Sequence, residues 1–112
     1  MAIDQTPGSD GYRPMFDAKK FDDHPVVPTY IEDIKLRVSV AKIDGDLFAF
    51  DDLCTHEHCP LSAGLMEGTT ISCQCHGSQF DVTTGKVLQG PAISALRTYP
   101  VRETDGTIEA KV

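Results

Sequence analysis

Cys54-Thr55-His56-Glu57-His58-Cys59-Pro60-Leu61 and Cys73-Gln74-Cys75-His76-Gly77-Ser78-Gln79-Phe80 are the stretches on which the chain turns. Each offers one thiol and one imidazole at close spacing: Cys54 with His56, and Cys73 with His76. Sixteen residues separate His56 from Cys73, room for a loop end, a strand and a turn. Two cysteines and two histidines, divided evenly between paired loops, form a metal-site pattern. Buried structural cysteines beside unrelated surface histidines would need the same coincidence twice. Residue types alone leave two centres open. One is a closed tetrahedral zinc site. The other is a [2Fe–2S] cluster in which two histidines replace two cysteines.

The flanking sequence reads as strands. Ile34, Leu36, Val38 and Val40 alternate with Lys35, Arg37 and Ser39, the period of a half-buried strand. Asp44-Gly45 predicts a tight hairpin turn into residues 47–50, and the first metal loop follows directly. Residues 69–72 form a short β-rich run into the second loop. Residues 80–82 and 86–88 read as a hairpin turning near Thr84-Gly85, and Gly90-Pro91-Ala92 as a third loop. Residues 96–101 and 108–112, joined at Asp105-Gly106, read as the last hairpin. No long helical period appears, so the expected class is all-β, built from short antiparallel sheets. Residues 1–14, rich in Gly, Pro, Ser and Asp, read as a poorly ordered arm preceding a single domain over 15–112. From Met15 to Pro28 the pattern is weak: Phe16 and Phe21 are candidates to pack on the domain, and Pro25 with Pro28 argues against a helix. Regular structure is expected from Thr29 onward. His24 has no paired donor nearby and reads as a surface residue.

Charge is distributed unevenly over the 112 residues. From position 43 to 85 there is no Lys or Arg, but there are seven acids: Asp44, Asp46, Asp51, Asp52, Glu57, Glu67 and Asp81. The net charge of −7 therefore sits entirely in the segment that carries the metal loops. This argues against nucleic acid and anionic membrane as partners and favours a protein with a basic docking surface. The N-terminus lacks the basic and apolar regions of a signal peptide. No apolar run reaches membrane-span length, so the expected location is cytoplasmic.

Cys54-Thr55-His56 followed by Cys73-Gln74-Cys75-His76-Gly77-Ser78 resembles the Rieske motif, C-x-H and C-x-x-H-G, with its spacing. Gly90-Pro91-Ala92 resembles the proline loop that closes over the Rieske cluster, and the resemblance covers residues 29–112. It implies an all-β Rieske iron–sulfur fold of three small antiparallel sheets, with a cluster-binding part over about 51–92. It implies one Rieske-type [2Fe–2S] cluster, with Cys54 and Cys73 on one iron and His56 and His76 on the other. Ser78 would donate its hydroxyl to a bridging sulfide. Phe80 stands where high-potential respiratory relatives carry a donor tyrosine, and Pro91 belongs to the cluster environment. Cys59 and Cys75 match the disulfide of Rieske proteins in cytochrome bc complexes, which most soluble Rieske ferredoxins lack. The C-x-H spacing selects His56, and His58 reads as an exposed loop residue because neighbouring side chains in an extended loop point apart. Pro60, Leu61 and Leu65 read as residues that shield the cluster.

The function implied is a soluble electron carrier, a ferredoxin with no substrate chemistry of its own. It would pass electrons from an NAD(P)H-dependent flavin reductase to a terminal, aromatic-ring-hydroxylating oxygenase of a bacterial dioxygenase system. The alternative is a Rieske subunit or soluble fragment of a larger complex, such as a cytochrome bc complex. Phe80, with the seven acids taken as unpaired, implies a low to intermediate reduction potential.

Overall fold

Leu36–Ile43 (β3) is the strand against which the rest of the chain is laid. In the computed structural model, which describes residues 4–54, 59–75 and 77–112, it pairs antiparallel with Val26–Ile31 (β2) and Asp46–Asp51 (β4). The β3–β4 turn is Asp44-Gly45, with φ of 52° and 85°. A two-residue hairpin needs that left-handed geometry, and Asp-Gly supplies it at low cost. Thr98–Tyr99 (β9) completes this sheet in the order β2-β3-β4-β9. Ile34 lies before the strand in a turn and is exposed, so the strand begins later than alternation suggests.

The strand is also not half-buried: Val38, Ser39, Val40 and Ala41 are all inside. Alternation reports a sheet with one wet face, but this sheet is covered on both. Val38, Val40 and Ala49 pack with Met15, Phe16 and Ile108 on one side. Ala41 and Phe50 pack with Cys54, Leu61, Cys73 and Phe80 on the other. Phe16, Phe50 and Phe80 are fully buried, each contributing about 1.5–3 kcal/mol relative to exposure.

Regular structure starts well before Thr29. Arg13–Asp17 (β1), a 3-10 turn over Ala18–Asp22 and β2 occupy the stretch that the pattern left blank. Proline obscured both strands: Pro14 borders a bulge and Pro28 lies on an edge strand, two places where a missing N–H is tolerated. Phe16 and Phe21 do pack together, edge to face with centroids 5.4 Å apart. Strand β1 joins Val101–Thr104 (β10) and Thr107–Ala110 (β11) in a second sheet of order β1-β11-β10. The run over residues 96–101 is thus not one strand. Pro100, which cannot donate to a ladder, separates β9 in the first sheet from β10 in the second.

The third sheet carries the loops of interest. Leu65–Glu67 (β5), Thr70–Ser72 (β6), Gln79–Asp81 (β7) and Val87–Gln89 (β8) pair in sequence order. The second metal loop joins β6 to β7, and the expected hairpin joins β7 to β8. Gly64, just before β5, is required by close approach: a Cβ there would lie 1.9 Å from the Ser72 carbonyl oxygen. The architecture is all-β, with three antiparallel sheets among the described residues, as expected. Among them no helix is long and apolar enough to cross a membrane.

Candidate metal centre

The two loops are closed in the same way. In the first, the Cys54 N–H donates to the Cys59 carbonyl at 2.8 Å. In the second, the Cys73 N–H donates to the Ser78 carbonyl at 2.8 Å. Each cysteine therefore anchors to a carbonyl five positions on, and each loop springs from a strand end. Outside these bonds, Leu53 bridges Pro60 and the Leu61 N–H reaches the Asp52 carbonyl at 3.0 Å, narrowing the mouth of the first loop. Gly77, at φ 77°, makes the second loop's return and donates to the Cys73 carbonyl at 3.0 Å.

Cys54 and Cys73 are buried and carry free thiols. Cys59 and Cys75 form a disulfide that ties the two loops together. The Cys73 sulfur lies within 4.8 Å of both disulfide sulfurs. Those bonded sulfurs offer no thiolate, so this trio is not a metal site. His56, His58 and His76 lie outside the described residues, as does Glu57. His24 is exposed, in keeping with a surface role.

The third loop is fastened to the second. Ser78 is buried, and its Oγ accepts the Ala92 N–H at 3.0 Å. With that oxygen accepting, the hydroxyl proton remains available to donate elsewhere. Gln89 Nε2 donates to the Gly77 carbonyl at 3.4 Å, a second tie. Pro91 is exposed at the tip of this loop, after a cis peptide bond. Phe80 is fully buried on β7, opposite Ile71, and brings no donor. Leu61 packs with Cys54 and Cys73, as a shielding residue should. Pro60 is exposed, and Leu65, on the edge strand β5, is 60% exposed and takes no part in that packing.

The acids are not all unpaired. Asp52 is completely buried and accepts from Arg37 Nε, from the Ser62 N–H at 2.7 Å and from the Ser62 hydroxyl at 2.8 Å. Asp51 accepts from the Tyr99 hydroxyl. Burial, and then the Asp51 carboxylate, hold that hydroxyl above the ordinary phenol range. Asp81 accepts from the Thr83 N–H and hydroxyl at 2.9 and 2.6 Å. Asp44, Asp46 and Glu67 stay exposed. The Asp52–Arg37–Ser62 cluster and the Ser78–Ala92 bond carry no motif. The one sequence signal for Asp52 is its place two residues before Cys54.

Two buried thiols on matched, strand-borne loops, stapled to each other and overlaid by a third loop, suit a soft-metal centre with thiolate ligands. They fit a loop-bound iron–sulfur protein. Residues 13–100 match the Rieske [2Fe-2S] domain, and the chain belongs to that family. Its cofactor is a Rieske-type [2Fe–2S] cluster.

The chain is 40% identical over 65 residues to the ferredoxin component of a naphthalene 1,2-dioxygenase system from Pseudomonas putida. That match covers 58% of this chain and 62% of the relative. It is 37% identical over 75 residues to an anthranilate 1,2-dioxygenase ferredoxin subunit from Burkholderia cepacia, covering 67% and 69%. Among solved structures, a ferredoxin of Sphingomonas yanoikuyae B1 superposes with a TM-score of 0.81 at 32% identity, covering 88% of this chain and 96% of that one.

Proposed function

We propose that this chain is a one-electron carrier, a Rieske ferredoxin that takes electrons from an NAD(P)H-dependent flavin reductase and gives them to a terminal aromatic-ring-hydroxylating oxygenase. The observation that carries this is the pair of free, buried thiols on matched loops. Cys54 and Cys73 would bind one iron, and His56 and His76 the other. When bound, the cluster supplies reversible one-electron transfer, at a potential raised by its neutral imidazole ligands. With four protein ligands beside the cluster's own sulfides, no coordination position would be left for substrate, which is the arrangement of a carrier rather than a catalyst. The chain's own residues then exclude water from the thiolates, through Leu61 and Phe80, and fix the loops. A donor that uses NAD(P)H places the protein in the cytoplasm. The relatives named above, ferredoxin components of dioxygenase systems, support the same role.

The disulfide favours a second reading, a Rieske subunit or fragment of a cytochrome bc complex, whose Rieske proteins carry that staple. Phe80 weighs against it, since the donor tyrosine of the high-potential relatives is missing. One preparation separates the readings. Protein purified without oxygen is expected to be red-brown, to contain acid-labile sulfide, and to give a low average g-value when reduced. It should also restore NADH-driven product formation to a reductase and a ring-hydroxylating oxygenase that lack their ferredoxin. A colourless zinc protein would overturn the proposal, and a midpoint of roughly +300 mV would shift it to the second reading.

A further inference from the structure

Asp52 uses every hydrogen-bonding group it has. Its N–H donates to the Arg37 carbonyl at 2.9 Å and its carbonyl accepts the Leu61 N–H at 3.0 Å. Its carboxylate takes Ser62 twice and Arg37 Nε once. One residue thereby holds together β3, the entry to the first metal loop and the exit from it. Beyond that clamp, among the described residues, lie the Leu53–Pro60 bridge and the Cys54–Cys59 bond before the loop itself.

The charges of the pair are placed unequally. The Asp52 side chain is wholly out of water, whereas the Arg37 side chain is 39% exposed. Water screens the exposed guanidinium more than the buried carboxylate, so their fields do not cancel nearby. Asp52 stands two residues before Cys54. A negative charge there opposes an arriving electron, and Arg37 partly offsets it.

We propose that Asp52 is the positioning residue of the first metal loop, and that the Asp52–Arg37 pair sets the cluster's reduction potential. The acid lowers that potential and the arginine raises it. This rests on Cys54 being a cluster ligand. Ser62 shares the clamp without adding charge.

The test is a spectroelectrochemical titration of the cluster-loaded protein and three variants, with iron release to a chelator followed in parallel. Asp52→Asn keeps the shape and removes the negative charge, and its midpoint should rise. Arg37→Gln removes the half-exposed positive charge, and its midpoint should fall by a smaller amount. Ser62→Ala should leave the midpoint near that of the parent but release iron several-fold faster. A purely structural role predicts faster release in all three variants with no opposed shifts, and that result overturns the proposal. Should Asp52→Asn fail to hold a cluster, Arg37→Gln decides: a downward shift supports the pair's role, and an unchanged or higher midpoint ends it. A parent protein without a Rieske spectrum would instead defeat the functional reading beneath.

Discussion

Ser78 and Phe80 stand two positions apart, both buried, one carrying a hydroxyl and the other no donor at all. The Ser78 oxygen is held by the Ala92 N–H, which orients the hydroxyl and leaves its proton free to donate. Ser78→Ala should therefore lower the midpoint. It should also cost about 1–3 kcal/mol of stability, because the buried Ala92 N–H loses its acceptor. Phe80→Tyr, adding a donor on β7, should raise the midpoint. Voltammetry with thermal unfolding checks both, and a Ser78→Ala variant that keeps potential and stability would remove Ser78 from the site. At this scale the sequence was most legible where chemistry restricts residue choice. The spacing of cysteine and histidine pointed to the family and its cluster, and the Cys59–Cys75 pair is bonded as the resemblance implied, while the histidines lie outside the described residues. Asp52 did not, because a buried, saturated carboxylate is written like any exposed acid. Its neighbour Asp51 shows the same blindness, since nothing local foretells that Tyr99, far along the chain, will meet it.

Among the elements, hairpins were read well and lone strands badly. Asp44-Gly45 and Asp105-Gly106 mark turns by the backbone angles they permit, and both Asp-Gly pairs adopt positive φ. Strand β1 has no such marker. Its partner β11 lies at the other end of the chain, with Arg13 opposite Ala110, so its stability is non-local. The metal loops are a third case, since they are irregular and depend on cross-links. The Cys59–Cys75 bond closes a separation of 16 residues, for which the loss of unfolded-chain entropy amounts to about 3 kcal/mol. A reductant should lower stability by roughly that amount when oxidised and reduced protein are unfolded in guanidinium in the same cluster state. The Cys59→Ser/Cys75→Ser double variant should match the reduced protein and ignore the reductant. Equal midpoints with and without reductant in the parent would show that the backbone closures alone hold the loops.

For the molecule as a whole, the consequence lies in where its charges remain free. Away from the metal segment, acids and bases balance in number, and three of the acids are held in ion pairs: Arg13 holds Asp33 at 2.7 Å, and Arg102 holds Asp10 at 2.7 Å and Glu109 at 2.8 Å. Within the segment Asp51, Asp52 and Asp81 are engaged, and the exposed acids that remain among the described residues are Asp44 and Asp46 at the β3–β4 hairpin and Glu67 at the end of β5. Hydrogen bonds from neutral donors leave the charges of Asp51 and Asp81 in place, so the field is reduced only where Arg37 offsets Asp52, and no Lys or Arg lies within residues 43–85 to cancel the rest. A partner with a basic docking surface would be drawn toward the segment over residues 43–85, where this excess lies. Between exposed charges such attraction is screened over about 10 Å at 0.1 M salt. Electron transfer to a ring-hydroxylating oxygenase, the proposed acceptor, should therefore slow about tenfold or more as ionic strength rises from about 0.01 to about 0.5 M. Stopped-flow reduction of the oxygenase measures this directly. The Asp44→Lys/Asp46→Lys variant should start slower and flatten the dependence, because it removes the steering charge while leaving the loops untouched. If the parent's rate is independent of salt, apolar contact governs encounter, and the acidic segment serves solubility instead.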